Sequence, residues 1–289
     1  MRLKEGIITA QITPCAANGE PDFGALGELI AFQQQAGVAG LFVLGSAGLG
    51  PLMTITERKR ALERIITLAG PLAVVAHIGA AQPAEAVDLA RHAEAAGAAA
   101  VSSVPPTYYQ PDFLVVADYY KRLRAAVTLP LIAYNNPPAT GYHLTPDQTA
   151  SLFAADVIHG VKQSHPSVAE LHALLAAGVR VWAANATLCI DALAMGAFGA
   201  ISTITNVAPE AFVMLAAALQ RGDLKAARHG QQAIDFIAGR LRHPTIGALH
   251  AGVSERGLPG LLPRAPLRMP DEAETRPIRE AVARAREFS

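Results

Sequence analysis

Lys162 is the residue whose type and position most strongly suggest chemistry. The chain has 24 basic residues, of which five are lysines, and the other four lie at the N-terminus or on polar helical stretches. Lys162 alone follows an apolar run, residues 157–161. A guanidinium cannot be deprotonated in a protein, whereas a desolvated lysine can lose its proton and attack a carbonyl carbon. The position favours a nucleophilic amine; the alternative is a lysine that reaches solvent from a strand end or pairs with an acid.

Tyr134 and Ser46 are candidate partners of this amine. Tyr134 follows the apolar run Leu131-Ile132-Ala133, and a phenol that faces a lysine can act as a general acid or base. The alternative is a tyrosine that packs at a rim with its hydroxyl in water. In Gly45-Ser46-Ala47-Gly48, backbone N–H groups can form a nest for a carboxylate, to which Ser46 adds a hydroxyl. Such turns are common after strands, so this signal is weak by itself.

Composition argues against several other classes of function. Basic and acidic residues balance at 24 each, so nothing suggests a nucleic-acid or anionic-membrane partner. The nine histidines form no HxH or HExxH spacing, and we expect His77 and His159 to be core residues, or residues that support a site, rather than metal ligands. Cys15 and Cys189 lie far apart without a CxxC spacing, which argues against a disulfide framework or structural zinc.

The sequence also lacks the features of an exported or membrane protein. Its first residues contain no long apolar core, and no uninterrupted apolar run reaches membrane-spanning length. We therefore expect a cytoplasmic protein with neither a metal nor another cofactor.

Eight short apolar runs alternate with longer helical stretches, as in parallel βα units. The predicted strands are residues 7–13, 40–44, 72–78, 99–103, 129–134, 158–162, 179–183 and 199–203. Thr56, ahead of an acidic turn, and Thr145, followed by Pro146, predict helix starts. Four glycines lie where helices should end: Gly37, Gly70, Gly97 and Gly178.

The regular repeat favours an α/β fold, a closed (β/α)8 TIM barrel, over an open doubly wound sheet. The first predicted strand runs into Thr13-Pro14-Cys15, without the GxGxxG loop of a dinucleotide-binding sheet. We expect the catalytic barrel to span residues 1–221 and a small C-terminal helical appendage to span 222–289. In such a barrel the reactive groups gather at the carboxyl ends of the strands, which would bring Lys162, Tyr134 and Ser46 to one face.

These signals occur together, in the same order, in one known superfamily. Over essentially its whole length the chain resembles the dihydrodipicolinate synthase and N-acetylneuraminate lyase superfamily of class I, Schiff-base aldolases. The matching motifs are Gly6-Ile7-Ile8-Thr9, Thr13-Pro14, Gly45-Ser46-Ala47-Gly48, Tyr108-Tyr109, Tyr134-Asn135-Asn136-Pro137, Thr140-Gly141 and Gly160-Val161-Lys162.

The resemblance implies a homotetrameric enzyme whose lysine forms an imine with pyruvate or another 2-oxo acid. Lys162 matches that lysine, and Tyr134 matches the tyrosine that transfers protons. Ser46 matches the hydroxyl of a proton relay, which Tyr109 from a neighbouring subunit would complete.

The resemblance also implies a carboxylate site, and here the chain departs from the family. Ser46 and Ala47 match the residues that bind the pyruvyl carboxylate, and Ile201 matches a position whose backbone lines the pocket. The family's second loop hydroxyl is Ala47 here, so one carboxylate contact can come only from the backbone. The glutamate that usually follows the loop is Leu49.

A further departure concerns the substrate. Dihydrodipicolinate synthases carry an arginine after the tyrosine's proline, where it binds the carboxylate of aspartate semialdehyde; this chain has Pro138-Ala139-Thr140-Gly141 there. The segment from Tyr134 to Gly141, Gly48-Leu49-Gly50-Pro51 and Val101-Ser102-Ser103 are more similar to 2-keto-3-deoxygluconate aldolases. The resemblance therefore implies a 2-keto-3-deoxy sugar acid, cleaved to pyruvate and a hydroxyaldehyde.

Two alternatives stay open at this point. The first is a 4-hydroxy-tetrahydrodipicolinate synthase that grips aspartate semialdehyde in another way. The second is a non-catalytic barrel that binds a 2-oxo acid, although such a protein would not need Lys162, Tyr134 and Ser46 together. The lack of an obvious Gly-rich loop after the seventh strand favours an unphosphorylated substrate.

Overall fold

A computed structural model describes residues 3–107 and 109–288. Its eight strands are β1 (Gly6–Ala10), β2 (Gly40–Val43), β3 (Ala73–His77), β4 (Ala100–Ser103), β5 (Leu131–Asn135), β6 (Gly160–Gln163), β7 (Val181–Ala183) and β8 (Gly199–Ser202). They pair in chain order, all parallel, and β1 also pairs with β8. Each predicted strand is present, and the prediction of a closed (β/α)8 barrel is confirmed.

The end of β1 is the main difference between predicted and observed strands. The strand was expected to reach Thr13, but it leaves the ladder after Ala10. Beyond that point the Ile12 N–H donates to the Asn206 side chain, and the Thr13 hydroxyl donates to the Gly48 carbonyl oxygen. These hydrogen bonds take the place of strand pairing after Ala10. The sequence pattern of a strand therefore extends further than the strand itself.

Twelve α-helices connect the strands or follow the barrel in the described part of the chain. They are α1 (Phe23–Gln35), α2 (Ile55–Ala69), α3 (Pro83–Ala96), α4 (Phe113–Ala126), α5 (Pro137–Thr140), α6 (Pro146–Ala154), α7 (Val168–Ala176), α8 (Cys189–Ala194), α9 (Pro209–Gln220), α10 (Leu224–Arg240), α11 (Thr245–Glu255) and α12 (Glu272–Arg286). None of these described helices has both the length and the apolar character that crossing a bilayer requires.

Helix starts follow capping chemistry, with one correction to the prediction. Thr145 caps α6 as expected, with Pro146 at the first helical position. The prediction of a start at Thr56 is wrong, because Thr54 caps α2. Its hydroxyl accepts from the Glu57 N–H at 3.2 Å, and the Glu57 carboxylate accepts from the Thr54 N–H at 2.7 Å. This reciprocal pair requires the acid three positions after the cap, as Glu57 is after Thr54, whereas Glu57 directly follows Thr56.

The barrel interior is filled by side chains that alternate with outward-facing ones along the strands. One inner cluster consists of Ile8, Ala10, Phe42, Val75, Ala100, Ile132, Tyr134, Trp182 and Ile201. At the amino ends of two strands the backbones approach closely. A Cβ on Gly40 would overlap the Ala73 carbonyl oxygen, and one on Gly199 would overlap the Gly6 carbonyl oxygen. Glycine at these two positions therefore permits the close approach of the neighbouring strands.

The C-terminal region is helical, as expected, and returns to the barrel. Helix α10 lies against α9 and α12, and α11 also contacts α12. Between α11 and α12 the chain passes the loop after β1, where Cys15 and Leu262 exchange backbone hydrogen bonds of 2.9 and 3.2 Å. The proposed domain boundary after residue 221 stays a prediction; it falls between the end of α9 and the start of α10.

Candidate active site

Lys162 lies inside the barrel at the carboxyl end of β6. Its side chain is almost fully buried, and its Nζ lies 3.5 Å from the centroid of the Tyr134 ring and 5.2 Å from that of Phe42. The strand register explains this placement, because Tyr134 on β5 is the direct partner of Lys162 on β6. The structure thus excludes the alternative of a solvent-reaching lysine. No carboxylate is paired with it among the described residues.

Burial controls the ionisation of the amine. Desolvation lowers the pKa of Lys162, and the nearby Tyr134 hydroxyl partly opposes this shift. A lower pKa increases the fraction of neutral amine at physiological pH, and the neutral amine is the nucleophilic form.

The Tyr134 hydroxyl lies where several polar groups converge. Burial raises the pKa of Tyr134, but the charge of Lys162 and hydrogen bonds from Lys162, Ser164 and Ser46 outweigh it, so the net shift is downward. The Asn136 side-chain amide also donates to this hydroxyl, at 3.1 Å. A phenol with a lowered pKa and several hydrogen-bonding neighbours can accept and return a proton.

The loop after β2 brings Ser46 to Tyr134 and exposes backbone donors. Leu44 and Leu49 have φ values of 59° and 61°, so the chain turns sharply on both sides of Ser46. In the described ranges the N–H groups of Ser46 and Ala47 make no hydrogen bond, while the Leu49 N–H donates back to the Ser46 carbonyl. Two unpaired N–H groups in a turn are a suitable binding place for a carboxylate.

His77, which was expected to be a core residue or one that supports a site, lies beside this group. Its buried ring is 6.0 Å from the rings of both Tyr134 and Phe42, measured between centroids. Neither ring nitrogen has a hydrogen-bond partner among the residues that the structure covers. Burial, with the charges of Arg58 and Lys162, lowers the pKa of His77 to about 3, so the imidazole is neutral. The sequence could have predicted that His77 points into the barrel, because residues two apart on a strand share one face and Val75 is in the inner cluster.

A cavity of about 420 Å³ opens next to these residues. Its lining includes Ser46, Arg58, His77, Ala139 and Thr140. Lys162 and Tyr134 are not part of that lining, but Ser46 and His77 lie against Tyr134 and connect the two regions. The cavity is therefore a space into which a bound small molecule can extend.

The remaining candidates from the sequence fall in different places. Ile201 is buried in the barrel interior, in the same cluster as Tyr134. Tyr109 is not brought into the site within one chain, since 87% of it is exposed. Tyr108 lies outside the described residues. Asn136 and Ser164 both contact the Tyr134 hydroxyl, but the sequence analysis did not identify them as its partners. The conformation of the loops after β5 and β6 decides where these two side chains point.

Within the described part of the chain, one group of residues has the side chains to hold a metal ion. His143, His165 and Glu170 come together at the rim, from the segment before α6, the loop after β6 and the start of α7, without any local metal-binding motif. The spacing argument against metals could not detect it, because the three residues belong to separate segments.

Comparisons with known proteins agree with this geometry. A sequence model of the Dihydrodipicolinate synthetase family matches residues 3–285. The N-acetylneuraminate lyase of Rhizobium meliloti (strain 1021) is 32% identical over 283 residues, which cover 96% of this chain and 94% of the relative. The 4-hydroxy-tetrahydrodipicolinate synthase of Hyphomonas neptunium (strain ATCC 15444) is 32% identical over 287 residues, covering 97% and 98% of the two chains.

A solved structure with the same architecture contains a 2-oxo acid. YagE, a prophage protein of the dihydrodipicolinic acid synthase family from E. coli K12, was crystallised in complex with pyruvate. It matches with a TM-score of 0.94 and 26% identity over 99% of each chain. The resemblance inferred from the sequence is confirmed. The chain belongs to the dihydrodipicolinate synthetase family and is a lyase of the class I aldolase type.

Proposed function

We propose that this protein is a pyruvate-dependent aldolase that acts through an imine on Lys162 and cleaves or forms a 2-keto-3-deoxy sugar acid. The observation that carries the proposal is the burial of the Lys162 amine against Tyr134, whose hydroxyl is hydrogen-bonded by Ser46. The pyruvate bound to a structural relative supports the 2-oxo acid. N-acetylneuraminate, named in a relative at 32% identity, is itself a 2-keto-3-deoxy sugar acid.

The proposed reaction begins with imine formation. Neutral Lys162 attacks the C2 carbonyl carbon, and Tyr134 delivers a proton to the departing hydroxyl, so that water leaves and the imine forms. The substrate carboxylate accepts hydrogen bonds from the N–H groups of Ser46 and Ala47, which fixes C2 in front of the amine.

Carbon–carbon cleavage follows from the imine. Tyr134, now deprotonated, removes the proton of the C4 hydroxyl, and the C3–C4 bond breaks as its electron pair moves into the protonated imine. This step releases an aldehyde and leaves an enamine on Lys162. Protonation of the enamine at C3 and hydrolysis return pyruvate and the free amine, and the same steps in reverse form the bond.

The choice of a hydroxylated aldehyde rests on one observation: among the described residues that line the cavity, no cation has its terminal nitrogens uncommitted. Ala139 lines the cavity where a synthase would need an arginine. Arg58 also lines it, but its two terminal nitrogens donate to the carbonyl oxygens of His77 and Gly79 at 2.7 and 2.8 Å. Burying a carboxylate without a partner costs several kcal/mol, whereas neutral hydrogen bonds to hydroxyls each contribute about 1 kcal/mol.

The structure narrows the set of side chains that can contact those hydroxyls. Five polar residues end β5 or β6 or follow β6 or β8 within four residues, and each is a candidate for such a contact: Asn135, Gln163, Ser164, Thr203 and Asn206. Asn135 and Gln163 are buried and hydrogen-bonded to each other, and Asn206 is buried with bonds to three backbone groups. Ser164 and Thr203 are partly exposed and remain as the proposed contacts.

A comparison of two aldehydes tests the substrate class. We expect kcat/KM for condensation of pyruvate with glyceraldehyde to exceed that with aspartate semialdehyde by at least about tenfold, the equivalent of about 1.4 kcal/mol. Rates of pyruvate release from 2-keto-3-deoxygluconate and from N-acetylneuraminate then show which length of aldehyde the enzyme prefers.

The second candidate function, 4-hydroxy-tetrahydrodipicolinate synthase, is favoured by the relatives with that name. A tenfold preference for the semialdehyde would replace our proposal with it.

The pH dependence provides a further test. Only the neutral amine attacks pyruvate, so kcat/KM is expected to rise with pH, with a midpoint below the usual lysine pKa of 10.5 because burial lowers the pKa of Lys162. Since Tyr134 partly opposes that shift, the residual activity of Tyr134→Phe should have a still lower midpoint. The rate of pyruvate trapping with cyanoborohydride, measured across the pH range, gives the midpoint for the wild type and for Tyr134→Phe. A midpoint at or above 10.5 in the wild type would contradict the role of burial.

We further propose that the protein is a cytoplasmic homotetramer in which Tyr109 acts across a subunit interface. In support, Tyr109 is 87% exposed, and Leu114 and Val115 at the start of α4 are also exposed. These apolar side chains form a surface on which a second copy can pack.

A further inference from the structure

A cluster of metal-binding side chains lies at the carboxyl face of the barrel, outside the residues proposed for catalysis. His143 belongs to the segment between α5 and α6, His165 follows β6, and Glu170 lies in the first turn of α7. The three side chains are partly exposed, by 35%, 34% and 20% respectively. An ion in solution can therefore reach them without opening the core.

Their geometry is close to that of a chelating site. The Glu170 Oε2 atom lies 3.0 Å from His143 Nε2 and 3.2 Å from His165 Nδ1. All three candidate ligand atoms lie within 4.8 Å of one another. Ligands bound at the usual Zn–N and Zn–O lengths in a tetrahedral site are about 3.3 Å apart, so both distances to Glu170 already fit.

We propose that His143, His165 and Glu170 bind a divalent transition metal ion of the Zn²⁺ type. Two imidazoles and one carboxylate suit Zn²⁺ and its neighbours rather than Mg²⁺ or Ca²⁺, which prefer oxygen ligands. Three protein ligands leave at least one coordination position for water or for a group of a bound molecule.

One ring must turn for the site to close. The two imidazoles stack with centroids 4.6 Å apart and planes inclined by 20°, so they cannot both point their lone pairs at one ion in this arrangement. The His165 Nδ1 atom is buried and makes no hydrogen bond of good geometry among the described residues. Rotation of the partly exposed His165 ring costs no existing hydrogen bond at that atom and directs Nδ1 to the ion.

Hydrogen bonds around the cluster hold the carboxylate in place. The Gln163 amide donates to Glu170 Oε2 at 3.2 Å, and the Asn135 amide in turn donates to Gln163 Oε1 at 2.8 Å. Ser167 accepts from the Glu170 N–H and caps α7. Supporting partners of this kind orient metal ligands and strengthen binding. They also connect the cluster to Asn135 and Gln163, the neighbours in sequence of Tyr134 and Lys162.

Metal titration of the full-length, untagged and chelator-treated protein tests the proposal. We expect one equivalent of Zn²⁺ to bind per chain, and one equivalent of Co²⁺ to produce visible absorption bands typical of low coordination number. His143→Gln and Glu170→Gln should each weaken Zn²⁺ binding by about 100-fold or more. Saturating Zn²⁺ should raise the Tm of the wild type by about 5 °C and leave those variants unchanged.

His92 offers a matched control, because it forms a similar contact with Glu63 at 2.8 Å but is not part of a described cluster of three metal-binding groups. His92→Gln should bind Zn²⁺ like the wild type. Undiminished binding in both His143→Gln and Glu170→Gln would overturn the proposal, as would binding of less than one equivalent by the wild type. Pyruvate trapping on Lys162 is measured separately, so failure of the metal site is distinguishable from failure of the proposed function.

Discussion

Replacement of Lys162 by alanine is expected to abolish both covalent trapping of pyruvate by borohydride and aldolase turnover. The amine is the proposed nucleophile, and no other described lysine is buried in the barrel. Lys162→Arg should fail equally, although it retains the positive charge, because a guanidinium does not lose its proton to attack the carbonyl. Mass spectrometry of the digested, reduced protein locates the adduct on the peptide that contains Lys162.

The control for this experiment is Lys121→Ala on the exposed face of α4, which should trap pyruvate and turn over like the wild type. Because Lys162 is buried, the Tm of each variant must be measured alongside activity. A folded Lys162→Ala protein that still forms a pyruvate adduct on another lysine would show that the nucleophile was misassigned.

Tyr134→Phe is expected to lower kcat by at least about 100-fold, within the range usual for loss of a general acid–base group. The phenyl ring keeps the packing against Phe42 and His77, so only the hydroxyl and its hydrogen bonds are lost. The effect should appear in proton-transfer steps, with KM for the sugar acid changing less than kcat. Steady-state kinetics with the best substrate of the sugar-acid panel measures this ratio.

Ser46→Ala is the graded comparison in the same experiment. It removes one hydrogen bond to the Tyr134 hydroxyl but leaves the backbone N–H groups of Ser46 and Ala47, so its loss of kcat should be smaller. Wild-type activity in Tyr134→Phe would remove the tyrosine from the mechanism. A larger loss in Ser46→Ala than in Tyr134→Phe would place the main proton transfer at the serine.

The features that sequence could predict are those carried by local periodicity. The eight strands follow from short β-branched runs between helical segments, and the position of Lys162 after such a run predicted that it would lie at a strand end. The register between β5 and β6 then places Tyr134 beside Lys162, which the order of the two strands in the chain already implied.

The features that sequence could not predict depend on loop conformation and on contacts between distant segments. Asn206 was a candidate substrate contact, but the structure uses it to hold the backbone at Ala10 and Ile12 after β1 ends. His77 was interpreted as a core residue or one that supports a site, and the spacing did not show that its ring lies 6.0 Å from the Tyr134 ring. Neither outcome follows from spacing, because a hydrogen bond between residues almost 200 positions apart leaves no periodic signal.

The glycines at the start of β2 and β8 divide the barrel into two regions with different tolerance to mutation. At Gly40 and Gly199 any side chain would collide with the backbone of the neighbouring strand, so libraries that vary these positions should return mostly unfolded protein. In the loops at the opposite end, Ala139 is exposed and Ser164 is partly exposed, so their side chains have room to change. Substrate range can therefore be redesigned at the loop end of this enzyme without altering the residues that determine how the barrel closes.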